Sequence, residues 1–229
     1  MNLVSEGTIQ KTNTYQLIAE RLVGEIVQSD LSAGEFVPTE REIAERYGVG
    51  RSSVRESLRL LEAHQVIRPA PGGSYVVGSA ASVLEPALQM LVALGGASLM
   101  ELQQLRRLLE IEAVDKAVQN ADHDDIRKLQ STVRLMIENR RDFPSALRAD
   151  LEFHVTIAEA SGNRALLAAV QGLHGVLRPK ILGSNVDIDE AIAHHQLILG
   201  AIIARDPEEA RTAIETHMDF VQAGIEQAE

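Results

Sequence analysis

The 229 residues contain no cysteine, so a disulfide framework and thiolate chemistry are both excluded. Aromatic residues make up only 3%, which leaves aliphatic side chains to build any core. No apolar run approaches the ~20 residues a membrane-spanning helix needs. The opening MNLVSEGTIQKTNTY lacks the basic and apolar regions of a secretory signal, so a cytoplasmic location is the expectation. A basic excess is missing too. The net charge is −11, whereas nucleic-acid binders usually carry a basic footprint. Residues 1–78 hold 8 basic and 10 acidic residues, and residues 79–229 hold 14 and 23. Any affinity for DNA must come from local clustering of arginine, with the carboxylates turned away, and should depend strongly on salt.

Hydrophobic residues make up 45%, so a real core can form, and 229 residues are enough for two modest domains or one large one. The most informative stretch is Thr39 to Glu62. Thr39 followed by Glu42 is a capping-box signature that opens a helix carrying Ile43 and Ala44 inward. Gly48-Val49-Gly50 breaks that helix, and a second starts near Arg51. Val54, Leu58 and Leu61 recur at helical spacing and face the partner helix. Arg51, Arg55 and Arg59 line the opposite face, with Ser52 and Ser53 at its first turn. An apolar back and a front of guanidinium and hydroxyl groups are what a helix-turn-helix presents to base edges and phosphates. Such arginines can also be no more than a solvated face, and their like charges are mildly unfavourable.

The flanks favour the first alternative. Residues 1–12 are polar and expected to fray. Tyr15 to Gln28 reads as a helix with Leu17 or Ile18, Leu22 and Ile26 buried. After the helix pair, two β-prone runs flank a Pro/Gly turn at residues 69–73, which predicts a hairpin. Its tip at Gly72-Gly73 lets backbone approach a groove closely. Three helices and a hairpin make a winged helix-turn-helix. Residues 15–77 resemble the DNA-binding domain of the GntR family of bacterial transcriptional regulators. The resemblance rests on Pro38-Thr39-Glu40-Arg41-Glu42-Ile43-Ala44 and on Gly48 to Leu58. It implies that Arg41, Arg51 and Arg55 contact DNA, with the wing adding a minor-groove contact. Gly50 stands where a serine is usual, so a small loss of capping is expected.

Residues 79–82 are small and read as a linker between a DNA-binding domain at 1–78 and a helical domain at 83–229. The latter predicts about seven helices in an antiparallel bundle, making the chain mainly α. On helical wheels, His195 is bracketed by Ile188, Ala191, Ile198 and Ile202, and His217 by Ala210, Ala213, Ile214 and Val221. Asp150 and His154 share one face with Phe153 and Ile157. Three histidines and an aspartate thus point inward from three helices. A lone core histidine is usually just a satisfied core residue, but an unpaired buried carboxylate is expensive. One divalent cation bound by Asp150, His154, His195 and His217 would satisfy all four. Imidazole and carboxylate suit zinc first, with nickel, iron or manganese as alternatives. His194 lies off the stripe. His174 faces the interior without being a ligand. Arg106 also faces inward among Leu99, Leu102, Leu109 and Ala113, and a buried guanidinium wants a bidentate anion. Either Glu110 or a bound carboxylate could serve.

Residues 83–226 resemble the FCD effector-binding domain of FadR-type GntR regulators. This rests on Arg106-Arg107-Leu-Leu-Glu110, Asp150-x-x-Phe153-His154, Ser161-Gly162-Asn163, His195-x-x-Ile198 and Asp206-Pro leading to His217. It implies that the Asp and three His hold a divalent metal and that Arg106 meets a small carboxylate effector. The expectation is a homodimeric transcriptional regulator, a repressor rather than an activator, on a palindromic operator of double-stranded DNA, with no membrane partner. The rival is a metal-dependent hydrolase or lyase acting on small organic acids. Against it, the sequence has no His-Glu-x-x-His run and no general base evident beside the ligand set.

Overall fold

The computed structural model describes residues 14–29, 31–184 and 186–227. The polar stretch 1–12, expected to fray, lies outside the described residues. The chain divides into two compact units, Met1–Val83 and Leu84–Glu229.

The first unit contains helices α1 (Thr14–Gln28), α2 (Glu40–Tyr47) and α3 (Arg51–Ala63), then strands β1 (Ile67–Ala70) and β2 (Ser74–Val77). The strands pair antiparallel, Ile67 opposite Val77 and Ala70 opposite Ser74. A 3-10 turn, Pro71–Gly73, joins them, with Gly72 and Gly73 at φ 80° and 75°. Phe36 bridges to Val76 and lengthens the ladder. The capping box forms as the sequence predicts: Thr39 Oγ1 accepts from Glu42 N, and Glu42 Oε2 accepts from Thr39 N at 2.8 Å. Gly48 ends α2 in the left-handed region, while Gly50 caps α3 with no side-chain hydrogen bond. Val54, Leu58 and Leu61 are buried against Ile18, Leu22 and Ile43. Leu17, the alternative inward residue of α1, is exposed.

The second unit is all helix: α4 (Ala80–Ala93, beginning in the first unit), α5 (Leu99–Asn120), α6 (His123–Glu138), α7 (Phe143–Ala160), α8 (Arg164–Leu182), α9 (Ile188–Ala204) and α10 (Pro207–Glu226). Residues 79–82, expected as a linker, are helical from Ala80. Alanine is the best helix former, and Ser79 Oγ accepts from Ser82 N at 3.1 Å, which starts the helix one turn early. α5 lies at the centre of this unit, packed against α7, α8, α9 and α10. Leu105 on α5 is 42% exposed, and on α6 Met136 faces inward while Ile137 is exposed.

The C-terminus of α5 is held by a side chain from elsewhere. Arg205 ends α9 at φ 58° and donates to the carbonyl of Val118 at 2.7 Å and to that of Ala121. A guanidinium there satisfies carbonyls that the helix leaves open and complements its dipole. Arg205→Ala should lower stability by about 1–2 kcal/mol, read as a lower urea midpoint for loss of helical ellipticity. Arg205→Lys should recover only part, because one ammonium cannot reproduce the two-pronged geometry.

Candidate functional site

Two groups of side chains stand out, one in each unit. In the first, the outer face of α3 carries Arg51, Ser52 and Arg55, all exposed, with Ser53 half-buried. Arg41 projects from α2 and pairs with Glu45 at 3.3 Å. Arg55 makes a two-pronged pair with Glu40, Nε to Oε1 at 3.1 Å and Nη2 to Oε2 at 3.0 Å. This bond lowers the Glu40 pKa and raises that of Arg55. Arg51 has no carboxylate partner among the described residues. Gly72 and Gly73 are exposed at the tip of the hairpin.

In the second unit, Asp150 and His154 on α7, His195 on α9 and His217 on α10 are all buried, and one ligand atom from each lies within 4.8 Å of the others. His154 Nε2 is 3.1 Å from His217 Nε2 and 3.3 Å from His195 Nε2, and His195 Nε2 is 3.1 Å from Asp150 Oδ1. Burial tends to raise the Asp150 carboxyl, but the surrounding imidazoles, His195 first, bring it below its ordinary value. Burial holds His217 well below the usual histidine range. His194, the neighbour set aside on the wheel, is only half-buried.

The tautomers decide what this cluster can accept. His195 Nδ1 is 2.6 Å from the carbonyl of Ala191, and a carbonyl only accepts, so this nitrogen carries the proton. His154 Nδ1 meets the Glu110 carboxylate, and the same reasoning holds. In the neutral rings, both Nε2 atoms are then bare lone pairs. They face each other and, at His195, a carboxylate oxygen. His217 Nε2 can supply one proton, which leaves at least one acceptor facing another. A cation removes the conflict, and three imidazoles with one carboxylate are a donor set for a transition metal. The Glu110–His154 contact is the outer-sphere support that metal-bound histidines usually have.

Glu110 does more than the sequence suggests. Its Oε1 accepts from Arg106 Nε at 2.6 Å and lies 3.0 Å from His174 Nε2, while Oε2 meets His154. Burial would raise this carboxyl, but Arg106 and His154 overcome it and hold the group well below the carboxylate range. His174 is pushed down to about 4, by burial first and by Arg106 second. Arg106 is 1% exposed and uses only Nε on Glu110, so its Nη1 and Nη2 have no partner among the described residues. The pairing with Glu110 is therefore real but incomplete. Arg106 and Asp150 line the same small cavity with Leu147, Ile181, Val186 and Val221, with about 10 Å³ of free space, room for roughly one water.

Reasoning from sequence took Glu110 only as a partner for Arg106 and missed its bonds to two histidines. It also missed Gln103, buried on the same α5 face. The available signal was the spacing 103, 106, 110, which puts Gln, Arg and Glu on one helical face among apolar neighbours.

Residues 101–220 match the FCD domain, and residues 14–77 match the bacterial regulatory proteins of the gntR family. The chain is 32% identical over 226 residues to the Uxu operon regulator of Haemophilus influenzae, covering 93% of this chain and 82% of that protein. It is 31% identical over 237 residues to the transcriptional repressor NanR of Klebsiella aerogenes, covering 97% and 89%. Among solved structures, Streptococcus agalactiae GntR superposes with a TM-score of 0.72 at 23% identity, covering 91% of this chain and 99% of that one; this likeness speaks for the fold.

The buried pair gives a direct test. Glu110→Leu leaves the Arg106 charge uncompensated and should cost about 3–5 kcal/mol. The double variant Arg106→Met/Glu110→Leu should recover most of that loss. Urea unfolding of chelator-treated protein measures both.

Proposed function

The chain belongs to the gntR family of bacterial regulatory proteins and carries their FCD domain; from that premise we propose that it is a DNA-binding repressor whose operator affinity is set by a small carboxylate bound at a metal centre. It is a transcriptional regulator, not an enzyme. The observation that carries the finer reading is the convergence of three imidazole nitrogens and a carboxylate, beside an arginine that lines the same small cavity as the aspartate and whose Nη atoms have no partner among the described residues. Asp150, His154, His195 and His217 hold a divalent transition metal, zinc first. The metal supplies a Lewis-acidic centre for a carboxylate or hydroxyl oxygen. Arg106 supplies the opposing guanidinium, and its two unpartnered nitrogens suit a bidentate carboxylate.

The DNA-reading surface is the exposed face of α3. Arg51 and Arg55 address base edges or phosphates in the major groove, Ser52 and Ser53 the backbone, and Arg41 the flank, while Gly72 and Gly73 bring the hairpin tip close to the duplex. The regulator works in the cytoplasm as a homodimer on a palindromic site. The apolar surface supports association between copies: α4 buries none of its residues, Met90 and Leu94 are 59% and 78% exposed, and Leu108 on α5 is 63% exposed. Exposed apolar side chains of this kind are what an association face supplies. No helix among the described residues is long and apolar enough to cross a membrane.

Arg55→Ala should weaken operator binding by about 1–3 kcal/mol, or roughly 5- to 150-fold, and flatten its salt dependence, as measured by fluorescence anisotropy at several ionic strengths. Unchanged affinity would remove Arg55 from the reading surface. Protein purified without chelator should carry about one transition metal per chain by elemental analysis. Small carboxylates should stabilise the metal-loaded protein, and both chelation and Arg106→Ala should abolish the response. A metal that stabilises by itself, with no acid responding, would make the ion structural.

A further inference from the structure

Three arginines on the surface of α2 and α3 meet carboxylates, and one of these pairings differs in kind. Arg41 touches Glu45 through Nη1 at 3.3 Å, and Arg59 touches Glu56 through Nη1 at 3.0 Å. Each uses one nitrogen and a partner three or four residues away on its own helix, so either can swing out at little cost. Arg55 on α3 instead donates two parallel bonds to Glu40 on α2, Nε to Oε1 at 3.1 Å and Nη2 to Oε2 at 3.0 Å. Two bonds to a planar carboxylate fix the plane of the guanidinium as well as its position. Glu40 is the first residue of α2, beside the Thr39–Glu42 capping box but not part of it. Its side chain is 32% exposed and that of Arg55 55%. Exposed pairs contribute little to folding, which leaves the orientation of Arg55 as what this pair fixes.

The fork occupies one edge of the guanidinium and leaves another open. A guanidinium carries five N–H groups. Glu40 takes the one on Nε and one on Nη2, which leaves both on Nη1 and the second on Nη2. One hydrogen from each Nη lies along the end of the group, and that end bonds guanine O6 and N7 together. We infer that Glu40 is a positioning residue for base recognition: it holds Arg55 end-on, as a preset two-pronged donor for one guanine of the operator. The inference rests on the exposed face of α3 being the DNA-reading surface. The carboxylate is shared rather than displaced when guanine binds. The side-chain freedom that binding would cost is already given up in the free protein. Adenine offers an acceptor at N7 but a donor at N6, and a guanidinium has no acceptor to turn toward it. A held Arg55 therefore rejects adenine, whereas a loose one can leave the base for a phosphate. The Glu40 charge also repels phosphate, so it lowers affinity for DNA in general while it raises discrimination.

The test uses the full chain and a duplex library randomised over roughly 20 base pairs, enough for two half-sites one helical turn apart. The bound fraction is sequenced for each variant. Wild type should select G·C at one position of the motif by roughly fivefold or more, and Arg55→Ala should erase that preference. Glu40→Gln, nearly the same shape, should erase most of it and leave the other positions unchanged. It should also bind a duplex of shuffled sequence about twofold or more tightly than wild type at low salt. Glu40→Ala should behave alike, which guards against a bond made by the glutamine amide. Adding Glu40→Gln to Arg55→Ala should change that position no further, because the carboxylate acts through the guanidinium. A preference that survives either Glu40 variant overturns the inference. So does an equal loss at every position with a lower melting temperature, the mark of a clasp that merely holds α2 on α3. A base other than guanine at the position Arg55 selects overturns it too. If Arg55→Ala leaves every base preference intact, or wild type selects no sequence, the reading surface itself is wrong and this inference falls with it. Loss of the preference in Arg55→Ala alone leaves the reading surface standing and removes only Glu40.

Discussion

The second unit depends on one buried carboxylate. Glu110 accepts from Arg106 and meets His154 and His174, three groups from three helices. An arginine that is 1% exposed cannot stay charged in an apolar interior without an anion, and a guanidinium does not lose its proton. Glu110 is therefore obligatory once Arg106 is inside. Its remaining lone pairs are then available to fix ring orientation. On His154 it puts the proton at Nδ1, which turns Nε2 toward His195 and His217. The carboxylate that neutralises the arginine thus also sets the tautomer that makes the cluster a metal-type donor set.

That double role ties two pieces of chemistry together without any moving part. Whatever draws Arg106 toward a bound anion changes how much of Glu110's charge it neutralises, and Glu110 is bonded to a ring in the donor set. A cation at that set pulls in the same direction, because a more basic carboxylate on Nδ1 makes a better nitrogen donor of Nε2. The proposed anchor and the proposed metal centre would thus be adjacent links in one hydrogen-bonded chain, Arg106–Glu110–His154. The incompleteness of the Arg106 pairing is part of this arrangement. Had Glu110 taken two nitrogens of the guanidinium, only one would remain for another anion, where two remain now.

Much of this was legible in the sequence, for identifiable reasons. Thr39, Glu42 and Gly48 act locally, through bonds spanning three or four residues, so their cap and stop could be read directly. The inward faces of Asp150, His154, His195 and His217 followed from helical periodicity, because each sits in a long apolar stripe. Other features depend on what lies across the helix. Glu110 looked like the partner of Arg106 because i,i+4 spacing invites that pairing; its bonds to His154 and His174 span 44 and 64 residues and leave no local mark. Gln103 carried no distinguishing mark, because Gln104 beside it is chemically identical and the pair does not show which one faces inward. Residues 79–82 looked like a linker from their small side chains, yet alanine's helix propensity and a Ser79 cap carry α4 through them.

The acidic balance of the chain and a DNA-reading role are compatible through the same kind of pairing at the surface. On the face of α2 and α3, Arg41 lies on Glu45, Arg55 on Glu40 and Arg59 on Glu56. Each guanidinium is held by a carboxylate that a phosphate or base edge must either displace or share. Exposed pairs are worth little, so displacement is cheap, but each exchange returns a carboxylate to a strongly negative environment. Non-specific attraction to phosphate is therefore blunted, while a guanine edge that takes a guanidinium bidentately keeps its geometric advantage. Arg51 at the first turn of α3, without such a carboxylate partner among the described residues, would contribute the unblunted charge. On the proposed reading surface, a regulator with net charge −11 would give up general affinity for DNA and retain discrimination, the balance a repressor needs when competing sites vastly outnumber its own.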